Sequence, residues 1–252
     1  MLKIIYQDPH LIAIDKPAGL LVHRSMIDRH ETRFAVQMLR DQIGQQVFPV
    51  HRLDRGTSGV LLFALDSDTA RLLNKAFEQQ EVGKTYLAVV RGYPAASGHI
   101  DYALSRQPDE IEFLDPRAQL IAQPAVSDYE TLATTTLPVC IDKYPTSRYA
   151  LVKLTPHTGR RHQLRRHMKH IAHPIIGDAT HGKGIHNRYF KEHFDCPRLL
   201  LACVEMRLKH PHRDAEIVLT APVGDSFLGV VNRFGWTDTL PADWRLSETM
   251  PP

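Results

Sequence analysis

Residues 51–65 constrain this chain more than any other stretch. His51-Arg52-Leu53-Asp54-Arg55-Gly56-Thr57-Ser58-Gly59 is a polar, glycine-containing turn, and it runs directly into Val60-Leu61-Leu62-Phe63-Ala64-Leu65. Six uninterrupted apolar residues are too few for a membrane span and read as a strand buried on both faces. A charged turn at the mouth of a buried strand is fixed in place, so the carboxylate of Asp54 is aimed rather than mobile. The arginines on either side of it favour an oriented, ion-paired group. The glycines and small hydroxyl residues that follow let backbone or ligand approach closely. Taken alone, an aspartate in such a turn is more often a surface ion pair than a reacting group.

The rest of the chain shows many short strand signals and fewer helical ones. Residues 4–14 read as two strands around a turn at Gln7-Asp8-Pro9-His10, closed by Lys16-Pro17-Ala18-Gly19. Residues 32–42 have helical spacing. Asp66 and Ser67 open a helix with Ala70, Leu73, Ala76 and Phe77 on one face. Further strands are expected at 85–91, 126–134, 148–155, 199–208 and 215–220. Helices are expected at 162–172 and 225–234, with a looped, histidine-rich stretch reaching to about 195. Strands that look hairpin-linked point to a mixed, mainly antiparallel α+β architecture. One domain over 1–236, with no second domain appended, is expected, followed by a loosely ordered tail over 237–252. Residues 104–126 read as a variable loop.

Composition narrows the class. Hydrophobic residues at 43% and charged residues at 23% are ordinary for a globular core, and the net charge is only +3. Basic residues concentrate near 158–170, which says more than the total. Three cysteines without a CxxC pair give no disulfide framework. No apolar run approaches the ~18–20 residues of a membrane helix, and the N-terminus lacks a signal-peptide pattern. A soluble, cytoplasmic, monomeric protein with no membrane association is the expectation. The histidines at 157–193 lack paired thiolates or an HExxH spacing, so no metal is expected.

Two further blocks change the weight given to Asp54. Lys84-Thr85-Tyr86-Leu87-Ala88-Val89-Val90-Arg91-Gly92 is a strand with Tyr86 near its start, and Thr158-Gly159-Arg160-Arg161-His162-Gln163-Leu164-Arg165-Arg166-His167 is a turn entering a basic helix. With the first block, in this order and spacing, they resemble the RluA-type pseudouridine synthases. Asp15-Lys16-Pro17-Ala18-Gly19 and His173-Pro174-Ile175-Ile176-Gly177-Asp178 extend the resemblance to roughly residues 1–235. The phrases Gly19–Ser25, Tyr144–Tyr149, Thr180-His181-Gly182, Glu192-His193-Phe194 and Arg233–Trp236 are similar to the family's tRNA-directed branch.

The resemblance implies a pseudouridine synthase fold: a bent sheet flanked by helices around a central RNA-binding cleft. It implies Asp54 as catalytic carboxylate, Tyr86 as active-site tyrosine and Arg165 as the partner that orients Asp54. Leu164 would line the pocket, and Arg52 would enter the RNA stack when the target base flips out. Arg160, His162, Arg166 and Lys169 would contact the RNA, the one-signed charge here favouring phosphate over a merely solvated helix face. Isomerising uridine neither changes oxidation state nor loses a group, so no cofactor is expected. The expected partner is RNA, specifically tRNA with uridine 65 as target. Ribosomal RNA is the alternative substrate, and a non-catalytic RNA-binding module is the alternative class.

Overall fold

The computed structural model describes residues 1–24, 31–105 and 121–245. In chain order the elements are β1 Lys3–Gln7, β2 Leu11–Lys16, α1 Ala35–Ile43, β3 Phe48–Pro49, β4 Ser58–Ala64, α2 Ser67–Glu78, β5 Gly83–Arg91, β6 Ser97–Asp101, β7 Leu104–Ser105 and β8 Ala122–Gln123. There follow β9 Val126–Leu137, β10 Ser147–Pro156, α3 Gln163–His170, α4 Gly184–Phe194, β11 Leu201–Lys209, β12 Glu216–Thr220, α5 Asp225–Arg233, a 3-10 turn at Thr237–Thr239, and α6 Ala242–Arg245.

Among the described residues, ten strands form one sheet in the order β1-β2-β4-β11-β5-β10-β9-β6, with β3 beside β4 and β12 beside β11. Every pairing between these strands is antiparallel except β4 with β11, which meet at Ser58↔Ala202 and Gly59↔Cys203. The expected mixed, mainly antiparallel α+β sheet with flanking helices is therefore what forms.

The strands divide the core by alternation. Leu87, Val89, Tyr149 and Leu151 face one cluster with α4 and α5 residues such as Phe190 and Phe227. Ala88, Val90, Ala150, Val152 and Leu154 face the other, where α3 contributes Leu164 and Met168. A separate cluster around β2 and β4 takes in Leu73 of α2. Helix α2 starts as its sequence suggests, with the Asp66 carboxylate accepting the Thr69 N–H at 2.7 Å.

Three departures from the sequence reading are physical. The stretch expected to be looped up to 195 contains α4, whose Phe190 and Phe194 pack edge-on against Phe234. Its histidines and flanking glycines mask that apolar stripe. The edge strand β6 pairs with β9 although Ser97-Gly98-His99 carries no apolar alternation. Beyond Thr237 the chain makes packed turns up to Arg245, with Leu240 and Trp244 buried and the Trp244 carbonyl accepting the Val223 N–H. The tail 246–252 and most of the expected variable loop, 106–120, lie outside the described residues. Among the described helices none is long and apolar enough to cross a membrane.

Candidate active site

Asp54 sits in the loop between β3 and β4, and that loop is clamped from two sides. On one side the His51 imidazole accepts the Leu62 N–H at 2.9 Å and stacks on Phe77. Accepting that bond requires a neutral ring, and burial pushes His51 down to about 3. On the other side lies the turn after β2. Gly19 N–H donates to the Arg55 carbonyl at 2.8 Å. The wholly buried Lys16 reaches the carbonyls of Pro17, Leu20 and Arg55 at 3.0, 2.8 and 3.3 Å. Burial draws Lys16 down to about 7. The loop then enters β4 through Gly59, at φ +106, where a Cβ would lie 2.0 Å from the Cys203 carbonyl oxygen. Only glycine permits this approach.

Helix α3 delivers the second group. His162, at φ 54, precedes it, and Leu164 and Arg165 in its first turn are buried. Arg165 Nη1 donates to Asp54 Oδ2 at 3.1 Å, which joins residues 111 positions apart. The same guanidinium donates from Nε and Nη2 to the two carboxylate oxygens of Asp178 at 2.7 and 2.8 Å. Burial opposes the charge on Arg165, yet Asp178 and then Asp54 outweigh it and raise its pKa above the ordinary value. The loop before α3 is braced by Gln163, whose amide oxygen accepts from Thr158 Oγ1 and the Arg160 N–H and whose NH2 donates to Val126 O and Ser127 Oγ.

Tyr86 comes from β5, in register with Cys203 of β11. Two cavities of about 590 and 560 Å³ meet at Asp54, sharing Arg52, Leu53, Asp54, Arg161, His162 and Arg165. The larger continues past Gly19, Arg55 and Arg198, and the other past Lys84, Tyr86, Arg160 and Leu164. Burial raises the Tyr86 phenol well above its ordinary value, which keeps its hydroxyl protonated. His162 lies 3.9 Å from Asp54 and its Nδ1 is 3.1 Å from His181. Burial holds it down to about 4, so it is neutral at neutral pH.

The structure thus brings Asp54, Tyr86, Arg165, Arg52, Leu164, Arg160 and His162 to one cleft. Arg52 is exposed at its mouth. Arg166 and Lys169 do not line it: Arg166 donates to the Ser105 carbonyl at 3.0 Å, and Lys169 is exposed on the outer side of α3. Asp178 and Gln163 carried no role in the sequence reading. The glycine before Asp178 was the available signal, since a buried acid delivered by a tight turn must find a cation.

Most histidines singled out in the sequence are occupied locally, for example His167 with Ser127 and Tyr102, His173 with Arg91, and His186 with Tyr149. Among the described residues, His10, Asp66 and His212 bring three potential ligand atoms within 4.8 Å of one another, beyond the other end of β4 from Asp54. There Thr69 Oγ1 already bonds both Asp66 and His212, at 2.7 Å each.

Comparison with known proteins agrees with this geometry. The family model for RNA pseudouridylate synthase matches residues 10–170. The tRNA pseudouridine synthase C of Yersinia pestis is 52% identical over 241 residues, covering 96% of this chain and 94% of its own. That of Pasteurella multocida is 53% identical over 235 residues, covering 93% and 97%. Among solved structures, human RNA pseudouridylate synthase domain containing 4 superposes with a TM-score of 0.68 at 26% identity, over 92% of this chain and 93% of that one. Motifs, fold and relatives converge over nearly the whole length, and the chain belongs to the RluA-type RNA pseudouridylate synthases.

Proposed function

We propose that this enzyme converts uridine to pseudouridine in tRNA, at position 65, with Asp54 as the carboxylate that reacts. The observation that carries the reading is the meeting of two cavities at one carboxylate that an arginine 111 residues away holds in place. The reaction breaks the N1–C1′ bond, turns the uracil over and joins C5 to C1′, releasing the C5 proton. A fixed carboxylate can attack or shield the electron-poor centre this creates. Tyr86 and Leu164 supply a flat and an apolar wall for the detached base, in the same cavity as Asp54.

Uridine C1′ and C5 are out of reach inside a stacked helix, so the target must flip out. Arg52, exposed at the mouth of both cavities, fills the vacated place in this reading. Arg160 lies on the cleft wall, with Arg166 and Lys169 on the adjoining face of α3 as outer phosphate contacts. The reading includes a single catalytic unit over 1–236, acting as a monomer on cytoplasmic RNA. The names of the bacterial relatives support tRNA over ribosomal RNA.

Pseudouridine mapping of total RNA with and without the gene tests the assignment. Loss at one tRNA position with ribosomal RNA unchanged is expected. Loss of a ribosomal pseudouridine with tRNA intact would overturn the substrate and leave the chemistry standing.

A further inference from the structure

We propose that Asp178 is the positioning residue of this site: it sets how Arg165 faces Asp54 and limits how tightly the arginine grips it. The inference rests on reading Asp54 as the reacting carboxylate. The Asp178 side chain is fully buried and takes the Nε and Nη2 donors of Arg165 in a two-pronged contact at 2.7 and 2.8 Å. A planar guanidinium held by two prongs has its orientation fixed. What it offers Asp54 is one remaining nitrogen, Nη1, at the longer distance of 3.1 Å. The short pair is the anchor, and the contact to Asp54 follows from it.

Asp178 is itself held rigidly. The N–H groups of Thr180 and His181 both donate to its Oδ1 at 2.9 Å. Asn187 of α4 donates to its backbone carbonyl at 2.9 Å and accepts the Gly177 N–H at 2.8 Å. Gly177 stands at φ +80, where a Cβ would lie 1.9 Å from the Arg198 carbonyl oxygen, so the loop enters this place only because the residue is glycine. A chain of fixed contacts therefore runs from α4 through Asp178 and Arg165 to Asp54.

This arrangement has a chemical consequence. An arginine committed wholly to Asp54 would neutralise the carboxylate that must react. Shared with Asp178, its charge is mostly spent, and Asp54 keeps negative charge to offer.

Asp178→Asn keeps the shape and one acceptor but removes the charge. We would measure kcat, KM and the pH profile of C5 tritium release from tRNA, with tRNA affinity and thermal stability alongside. The expected result is a kcat lower by roughly tenfold or more, with KM and affinity within about twofold. The acid limb of kcat/KM should move to lower pH, because the negative charge that opposed ionisation near Arg165 is gone. A stable Asp178→Asn protein with unchanged kcat and an unmoved acid limb would overturn the proposal.

If that variant fails to fold, Asn187→Ala decides, since it loosens Asp178 and keeps its charge. A lower kcat with the acid limb in place supports positioning, and unchanged kcat overturns it. Failure of the underlying reading is separately visible, as turnover by Asp54→Asn or an inactive wild type.

Discussion

At the scale of single residues, the site is a row of charges in which each is fixed by the next. Asp54 and Arg165 were legible in the sequence because each stands in a motif of unusual residue types, and Tyr86 because it opens a strand at a set distance. The pairing of Arg165 with Asp178 was not legible, since an acid 13 positions away in a loop has no periodic relation to the helix it meets. That pairing changes what a substitution does. Arg165→Met removes the partner of Asp54 and also strands a buried carboxylate. Turnover should fall by about 100-fold or more, and stability by about 3 kcal/mol. Affinity for tRNA should change little, because the buried Arg165 is not a surface phosphate ligand. Single-turnover kinetics, filter binding and denaturant unfolding on one preparation check all three. Wild-type turnover in Arg165→Met would show that Asp54 needs no such partner.

At the scale of elements, alternation and capping carried most of the information. The run in β4 announced a strand buried on both faces, β5 and β10 read as strands, and Asp66 announced the start of α2. Helix α4 was hidden because its apolar residues are interleaved with histidine, lysine and arginine, and its burial depends on Phe234 and Trp236 far along the chain. The parallel pairing of β4 with β11 could not be read locally either. It depends on Gly59, and Gly59→Ala must place a methyl group against the Cys203 carbonyl at a positive φ. A loss of about 3 kcal/mol, the sum of overpacking and backbone strain, is expected from urea unfolding. A loss below about 0.5 kcal/mol, as for an ordinary surface change, would mean that the strands can separate without cost.

At the scale of the whole molecule, the sheet joins two halves, and the cleft opens where they meet. The half built on β1, β2 and β4 supplies Asp54, and the half built on β5 and β10 supplies Tyr86 and the surface on which α3 packs. The general architecture was legible because hairpin-linked strands outnumber helices. The cleft was legible only through the family resemblance, because it arises from contacts between residues more than a hundred positions apart. Net charge said little about an RNA partner, whereas the local gathering of Arg52, Arg160, Arg161 and Arg165 around one carboxylate says a great deal. The most direct measurement of the central claim is tritium release from tRNA carrying C5-tritiated uridine, using purified protein without added metal or nucleotide. The account predicts release by the wild type and none by Asp54→Asn, with tRNA affinity within about twofold because the amide keeps the shape of the acid. Release by Asp54→Asn at a rate near that of the wild type would contradict it.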